Sequence, residues 1–331
     1  MLVEVDFAQC RRVAKFLKGA SFSFYDFGGK SGDSINPSLD YGITAISNFY
    51  GATIALDYGF YTVEGERIVP FYGKFEGTTY KGADFLWAKM RKLLEEDASY
   101  FDLAFLARAS YSFVEEIFTD DDGKLFVKDL KRRWMMLRDF GRKLKRYGSV
   151  NGVFERSEGY LVRRDGRGLL QLMDRASAYY DPVFHKKANL LAKVMERRGL
   201  WKFNDPENKL PPIDYHLQNL AIKQGLVRIL SVDLRIKLKH AIEISLREEY
   251  EIRRSCAVAY KYICSLADID PYYLDDIYWG YGRKNCQLSP PDCEGSESGE
   301  PCPFRTVCLA NTEKQELKEL KQPVLLAITR Y

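Results

Sequence analysis

The residues best suited to chemistry lie in the last third of the chain. Cys286, Cys293, Cys302 and Cys308 are separated by six, eight and five residues, and the segments between them, QLSPPD, EGSESGEP and PFRTV, are polar and turn-forming. A segment of that composition has no core of its own. Four thiols placed in it need an organising group: an iron–sulfur cluster, a zinc ion or two disulfides. Zinc sites usually carry a close Cys-x-x-Cys pair, and none occurs here. Cys10, Cys256 and Cys264 lie outside this tail. The last two sit in an apolar-patterned helix and read as packing thiols. The second chemical residue is Asp214, which follows Pro211 and Pro212 at the start of the helical segment IDYHLQNLAIKQGLV (213–227). Prolines restrict the backbone before it and so fix where the carboxylate stands. Its plain alternative is a helix N-cap.

The elements that must hold these residues follow from periodicity. Phe7, Val13, Phe16 and Leu17 fall at helical spacing before Gly19 and predict a first helix. The segment 21–38, rich in Gly, Ser and Asn, reads as a loop. The stretch 43–72 is apolar and aromatic, with VEGER (63–67) as a turn between short strands, so the β structure is expected there. From about residue 82 the pattern is helical: 83–97, with Phe85, Leu86, Met90, Leu93 and Leu94 on one side, then 128–148, 166–180, 184–199, 213–229, 246–267 and 271–284. An acidic turn is expected at 119–124 and a loop at 204–212. The expected fold is mainly α. A helical domain (81–284) carries a small aromatic, partly β N-terminal portion (1–80) and ends in a metal-bound Cys-cluster loop and tail (285–331).

Composition sets the outer bounds. At 331 residues and 46% hydrophobic, the chain is long and apolar enough for a core, which excludes general disorder. No run approaches the ~18 apolar residues of a membrane helix, so no membrane partner is expected. The N-terminus MLVEVDFAQCRR lacks the basic and apolar regions of a signal peptide, so a cytoplasmic location is expected. The net charge of +4 hides a local excess: residues 128–146 hold nine basic residues and two acids, with Leu130, Trp134, Leu137 and Leu144 as an apolar stripe. That helix is either a solvated face or a surface for the phosphates of DNA or RNA.

The cysteine spacing resembles the loop of the endonuclease III and adenine glycosylase family, whose first and last gaps are the same and whose middle gap is shorter. That resemblance implies a 4Fe–4S cluster on Cys286, Cys293, Cys302 and Cys308, with zinc as the alternative and the extra middle residues looped out. The segment 213–227 resembles the aspartate segment VDTHVxRVAxRLGLV of the helix-hairpin-helix glycosylase superfamily. Asp214, His216, Leu217, Ala221, Gly225, Leu226 and Val227 fall in register, and the Cys loop follows the aspartate helix in the same order. The superfamily's LPGVGxxTA hairpin is absent, and ERRGLWKFNDPENKLPP (196–212) stands in its place.

A larger ordered set covers residues 55–283. FHKKANLLAKV (184–194), IDYHLQNLAIKQGLV, REEYEIRRSCAVA (247–259) and LDDIYWGYGR (274–283), preceded by LDYGFYTVEGERI (56–68) and 76–97, resemble the queuosine salvage family of nucleotide N-glycosidases. His216 and Gln218 depart from the family's Arg and Pro, and its members generally lack a Cys tail. The resemblance implies hydrolysis of the base–sugar bond of a queuosine 5′-monophosphate-like nucleotide, with Asp214 stabilising the oxocarbenium-like centre and activating water. Lys186 or Lys187 would face the sugar or phosphate, and a buried one would be an amine nucleophile capable of lyase chemistry. Phe60, Tyr61 and Trp279 would stack on the base, with Tyr215 and His216 beside the aspartate. Glu251 and Arg253, two apart in the EIR segment, would either buttress the site as an ion pair or be a surface feature. The plain alternatives are solvent exposure for the lysines and core packing for the aromatics. Two other functions remain open: a DNA glycosylase removing a damaged or modified base, and a non-catalytic nucleic-acid-binding protein.

Overall fold

A computed structural model describes residues 1–22, 36–287 and 290–326 of the chain. Most of the loop expected at 21–38 therefore lies outside the described residues. In chain order, β1 (Val3–Val5) leads into α1 (Phe7–Gly19), followed by α2 (Gly42–Leu56). The strands β2 (Tyr61–Glu64) and β3 (Arg67–Pro70) pair as one hairpin, and β4 (Tyr72–Phe75) and β5 (Thr78–Lys81) as another. The helices α3 (Ala83–Glu96), α4 (Leu103–Leu106), α5 (Tyr111–Phe118), α6 (Leu130–Leu144), α7 (Val150–Arg156), α8 (Leu169–Met173) and α9 (Lys186–Arg197) follow. The last third holds α10 (Tyr215–Gln224), β6 (Val227–Ile229), α11 (Val232–Lys239), α12 (Leu246–Ala267), α13 (Pro271–Tyr281) and α14 (Leu309–Thr312). The protein is thus mainly helical. Among the described residues, no helix is long and apolar enough to cross a membrane.

The chain divides into two compact units that are not contiguous in sequence. Among the described residues, 1–22, 63–68, 210–287 and 290–326 form the first, and 36–62 with 69–209 form the second. The sequence boundaries at 80/81 and 284/285 cut across this division. In the first unit α1 packs on α12, and β1 pairs antiparallel with β6, Val3 opposite Ile229 and Val5 opposite Val227. The second unit is built around α2, against which α3, α6, α7 and α9 pack.

Three elements differ from the sequence expectation, each for a tertiary reason. Residues 42–56 are helix, not strand. Every residue from Ile46 to Leu56 is buried, so α2 has no polar face and shows neither helical nor strand periodicity. An added Cβ on Gly51 would stand 2.8 Å from the Phe140 ring and 2.9 Å from Val150, so glycine is what lets α6 and α7 close on it. The segment 166–180 is not one helix. α8 stops at Met173, and a single turn at Ser177–Tyr179 then places the buried Tyr179 hydroxyl, which donates to the Gly51 carbonyl at 2.8 Å. The third is 213–229. Gly225 takes a left-handed conformation (φ 76°) that ends α10, and the chain leaves as β6.

The basic helix also holds a residue of neither expected kind. Arg133 is 1% exposed, so it is neither solvated nor able to face a phosphate. Its guanidinium donates to the Leu56 carbonyl, to the Tyr58 carbonyl at 2.6 Å and to the Asp129 carboxylate at 2.8 Å. It also lies 3.9 Å from the centre of the Tyr58 ring and 4.9 Å from those of Phe60 and Phe118. Guanidinium suits this position because its planar fork satisfies several acceptors while its face stacks on rings. Replacing it leaves two carbonyls and a carboxylate without their donor. Arg133→Ala is expected to cost about 3–5 kcal/mol and to lower the midpoint of thermal unfolding by roughly 6–20 °C, read by circular dichroism.

Candidate functional site

Asp214 is 6% exposed and stands at the N-cap of α10 in an extended conformation. Its Oδ1 accepts from the backbone N–H of His216 at 2.8 Å and of Leu217 at 3.0 Å. The capping expectation is therefore met in full, and the same bonds set the carboxylate in one orientation. The helix N-terminus also favours a negative charge at that point. Beside it the Tyr215 and His216 rings lie 4.3 Å apart, and the His216 ring meets half-buried Trp279 edge-on at 6.2 Å. The guanidinium of Arg283 lies 5.1 Å over Trp279. This group of three rings and a cation includes one residue, Arg283, that sequence reasoning missed. Its signal was a basic residue one helical turn beyond the tryptophan. α13 reaches α10 through Gly282, where a Cβ would approach Leu220 to 3.0 Å and His216 to 3.3 Å.

Directly after α13 the backbone widens into a π-type turn, Gly282–Cys286. Such turns often mark functional positions. This one delivers Cys286 to the far end of α10. The Cys286 carbonyl accepts from Asn219 Nδ2 at 3.1 Å and from Lys223 Nζ at 3.0 Å. The Cys308 thiol donates to the Lys223 carbonyl at 3.3 Å. All four tail cysteines line one small cavity together with Lys223, Leu220 and Phe304. None of the chain's seven cysteines is bonded to another. Burial raises the thiol pKa of all four, Cys308 to about 12. Burial likewise lowers the pKa of Lys223, and negative charge on Cys286, Cys308 or Cys293 opposes that shift. An amine 3% exposed is costly to bury as a cation unless an anion faces it, and the facing groups are these sulfurs. The four sulfurs are the donor type of a zinc or iron–sulfur centre, and a bound metal would deprotonate them and so give the lysine an anionic neighbour. Among the described residues, no group of three or more His, Cys, Asp or Glu stands close enough to hold a single ion as placed.

The eight-residue gap is closed by its own hydrogen bonds. Cys302 N–H donates to the Cys293 carbonyl at 3.0 Å, so the loop returns to its starting point. Inside it the Asp292 carboxylate accepts from the N–H groups of Gly295, Ser296, Glu297 and Ser298 at 2.8–2.9 Å, which hold it well below the usual carboxylate range. Asn285 Nδ2 donates to the carbonyls of Asp292 and Glu300 and to Ser298 Oγ. Gly295 has φ 82°, and a Cβ there would stand 2.3 Å from Glu300 carbonyl carbon.

The other expected site residues belong to the second unit or to α12. Lys186 and Lys187 open α9 in the second unit, and both are buried. Lys187 Nζ donates to the Ala55 carbonyl at 2.9 Å and lies 4.7 Å over the Tyr58 ring. Burial, and then the neighbouring Lys186, push its pKa well below the lysine range. Phe60 and Tyr61 are buried in the same unit. Phe60 packs on Phe126 and Arg133, a core role. The Glu251–Arg253 pair is corrected. Arg253 pairs with Glu249 at 3.2 Å, both fully buried, because residues four apart share a helix face and residues two apart do not. Cys10, Cys256 and Cys264 are buried thiols, Cys10 and Cys264 with pKa raised by burial to about 12.

Compared with known proteins, the chain matches no family model and no curated protein. The loop geometry makes its own test. Asp292→Ala is expected to speed cleavage after the exposed Glu294 and Glu297 by a glutamyl endopeptidase at least tenfold, on the order of what losing several charge-assisted bonds implies. An unchanged digestion rate would show that the carboxylate does not hold the loop.

Proposed function

We propose that the chain is an N-glycosidase hydrolysing the base–sugar bond of a modified nucleotide of the queuosine 5′-monophosphate type, with a 4Fe–4S cluster on Cys286, Cys293, Cys302 and Cys308. One observation carries this reading: α10 begins at a buried, oriented carboxylate and ends pinned to a four-thiol cavity, the pairing that the family resemblances associate with base release. In this reading, departure of the base leaves positive charge at the anomeric carbon. The Asp214 carboxylate stabilises it and takes the proton of the attacking water. Tyr215, His216 and Trp279 offer ring faces to the base, and Arg283 offers a guanidinium to the phosphate. The cluster would be held by the four thiolates and Lys223 would offset their charge. Once bound, it would supply a fixed cross-link among the tail segments that carry the four cysteines. The second reading is a DNA glycosylase. The four-thiol cavity favours it, because the nucleotide enzymes generally lack the tail.

Asparagine caps a helix about as well as aspartate. Asp214→Asn should therefore leave thermal stability within about 1 kcal/mol while lowering kcat/KM at least ~10³-fold for release of free base from nucleoside 5′-monophosphates or damaged oligonucleotides. Full activity in this variant would refute the mechanism. Whichever substrate panel releases base decides between the two enzymes. Purified protein should be brown, absorb visible blue light and carry about four iron atoms per chain. A colourless preparation with about one zinc would assign the site to zinc instead.

A further inference from the structure

The second unit carries a groove that the proposed chemistry does not use. It runs beside α6 with a cavity volume of about 860 Å³. Lys128, Lys131, Arg132, Arg138 and Arg142 line it, against two carboxylates, Asp129 and Asp139. Both carboxylates are already engaged. Asp129 accepts from the buried Arg133 at 2.8 Å, while Asp139 accepts from the Ser177 N–H at 2.8 Å and lies 3.8 Å from Arg142. The groove is therefore strongly cationic although the whole chain is nearly neutral. Lys131, Arg138 and Arg142 follow one helix stripe. At ~1.5 Å per residue they span about 16 Å, several times the footprint of a single phosphate.

Aromatic groups interleave with these cations. The Trp134 indole is fixed by donation to the Ala109 carbonyl at 2.8 Å, and Arg138 lies 5.0 Å over its ring. Tyr111 meets Trp134 edge-on at 5.9 Å and is 42% exposed. A ring held in place beside a row of cations offers a stacking surface for an unpaired base while its phosphates follow the helix. A duplex keeps its base faces covered and would use only the cations.

We propose that this groove binds a single strand of nucleic acid, its backbone along Lys131, Arg138 and Arg142 and a base stacked on Tyr111. At about 3.4 Å per stacked nucleotide the stripe accommodates roughly five nucleotides.

Fluorescence anisotropy of the full-length protein with labelled oligo-U RNA and oligo-dT DNA of roughly twelve nucleotides tests this. Binding should weaken with salt along a slope of about −2 to −3 in log K against log salt, as three or four neutralised phosphates give. The double variant Lys131→Glu/Arg142→Glu should bind at least tenfold more weakly and flatten that slope. Tyr111→Ala should weaken binding about tenfold and leave the slope unchanged. Both variants should keep the wild-type circular dichroism spectrum, since these side chains are exposed. The RNA and DNA arms report which sugar is preferred. The proposal is overturned if neither strand binds, if the double variant binds like wild type, if a blunt duplex binds more tightly than either strand, or if poly-glutamate displaces the strands as well as unlabelled oligo-U does.

Discussion

The carbonyl oxygen of Cys286 is the point on which the first unit's site depends. It receives two donors from α10, Asn219 and Lys223, one turn apart on the same face. A main-chain acceptor clamped by two side chains of one helix fixes both the position and the direction of the chain that follows. It therefore fixes where the first tail thiol stands. The same helix presents Asp214 at its start, five residues before Asn219 and nine before Lys223, or roughly 8–14 Å along the axis. Carboxylate and cysteine loop thus share a single rigid element, and Gly282 and Gly225 are the two places where small size lets the neighbouring segments reach it.

Buried cations recur, and each is handled differently. Arg133 satisfies its fork with two carbonyls and a carboxylate and stacks its face on rings. Arg253 has Glu249 one turn away, so the pair is neutral as a unit. Lys187 has a carbonyl and a ring, with Lys186 as its neighbour, and burial drives it toward the neutral amine. Lys223 has a carbonyl and a set of sulfurs. The comparison separates structure from chemistry. An arginine with complete acceptors is a cross-link, whereas burial lowers the pKa of a lysine that has no carboxylate bonded to it.

Much of this was legible in the sequence, and the illegible part has a common cause. Amphipathic helices such as α3, α6 and α12 show their buried stripe because one side meets water. α2 does not, since it is buried all round and its apolar run imitates strand. Asp214 was legible because a carboxylate after two prolines at a helix start is a local pattern. Arg133 was not. Nothing local marks which of nine basic residues turns inward, and its acceptors lie at positions 56 and 58, far away in the chain. Asn219 and Lys223 were missed for the same reason, as their acceptor is more than sixty residues distant. Arg253 pairs with Glu249 and not with Glu251, because proximity in sequence is not proximity in space. On a helix those diverge at two residues and agree at four.

The cysteine tail shows that divergence in its most consequential form. Its middle gap of eight residues looks incompatible with a compact ligand set if spacing along the chain is read as distance. The chain length between two ligands limits how far apart they can be, and sets no lower bound. Here the Cys302 N–H meets the Cys293 carbonyl, so the second and third tail cysteines are neighbours whatever lies between. The intervening residues need only close a loop, and closure costs little more for eight residues than for two. Asp292 offsets that cost by binding four consecutive N–H groups, and Gly295 supplies the left-handed turn and the missing Cβ that the crossing at Glu300 requires. What makes four cysteines one set is the hydrogen bonding of the residues beside them, which a count of the gaps between them does not record.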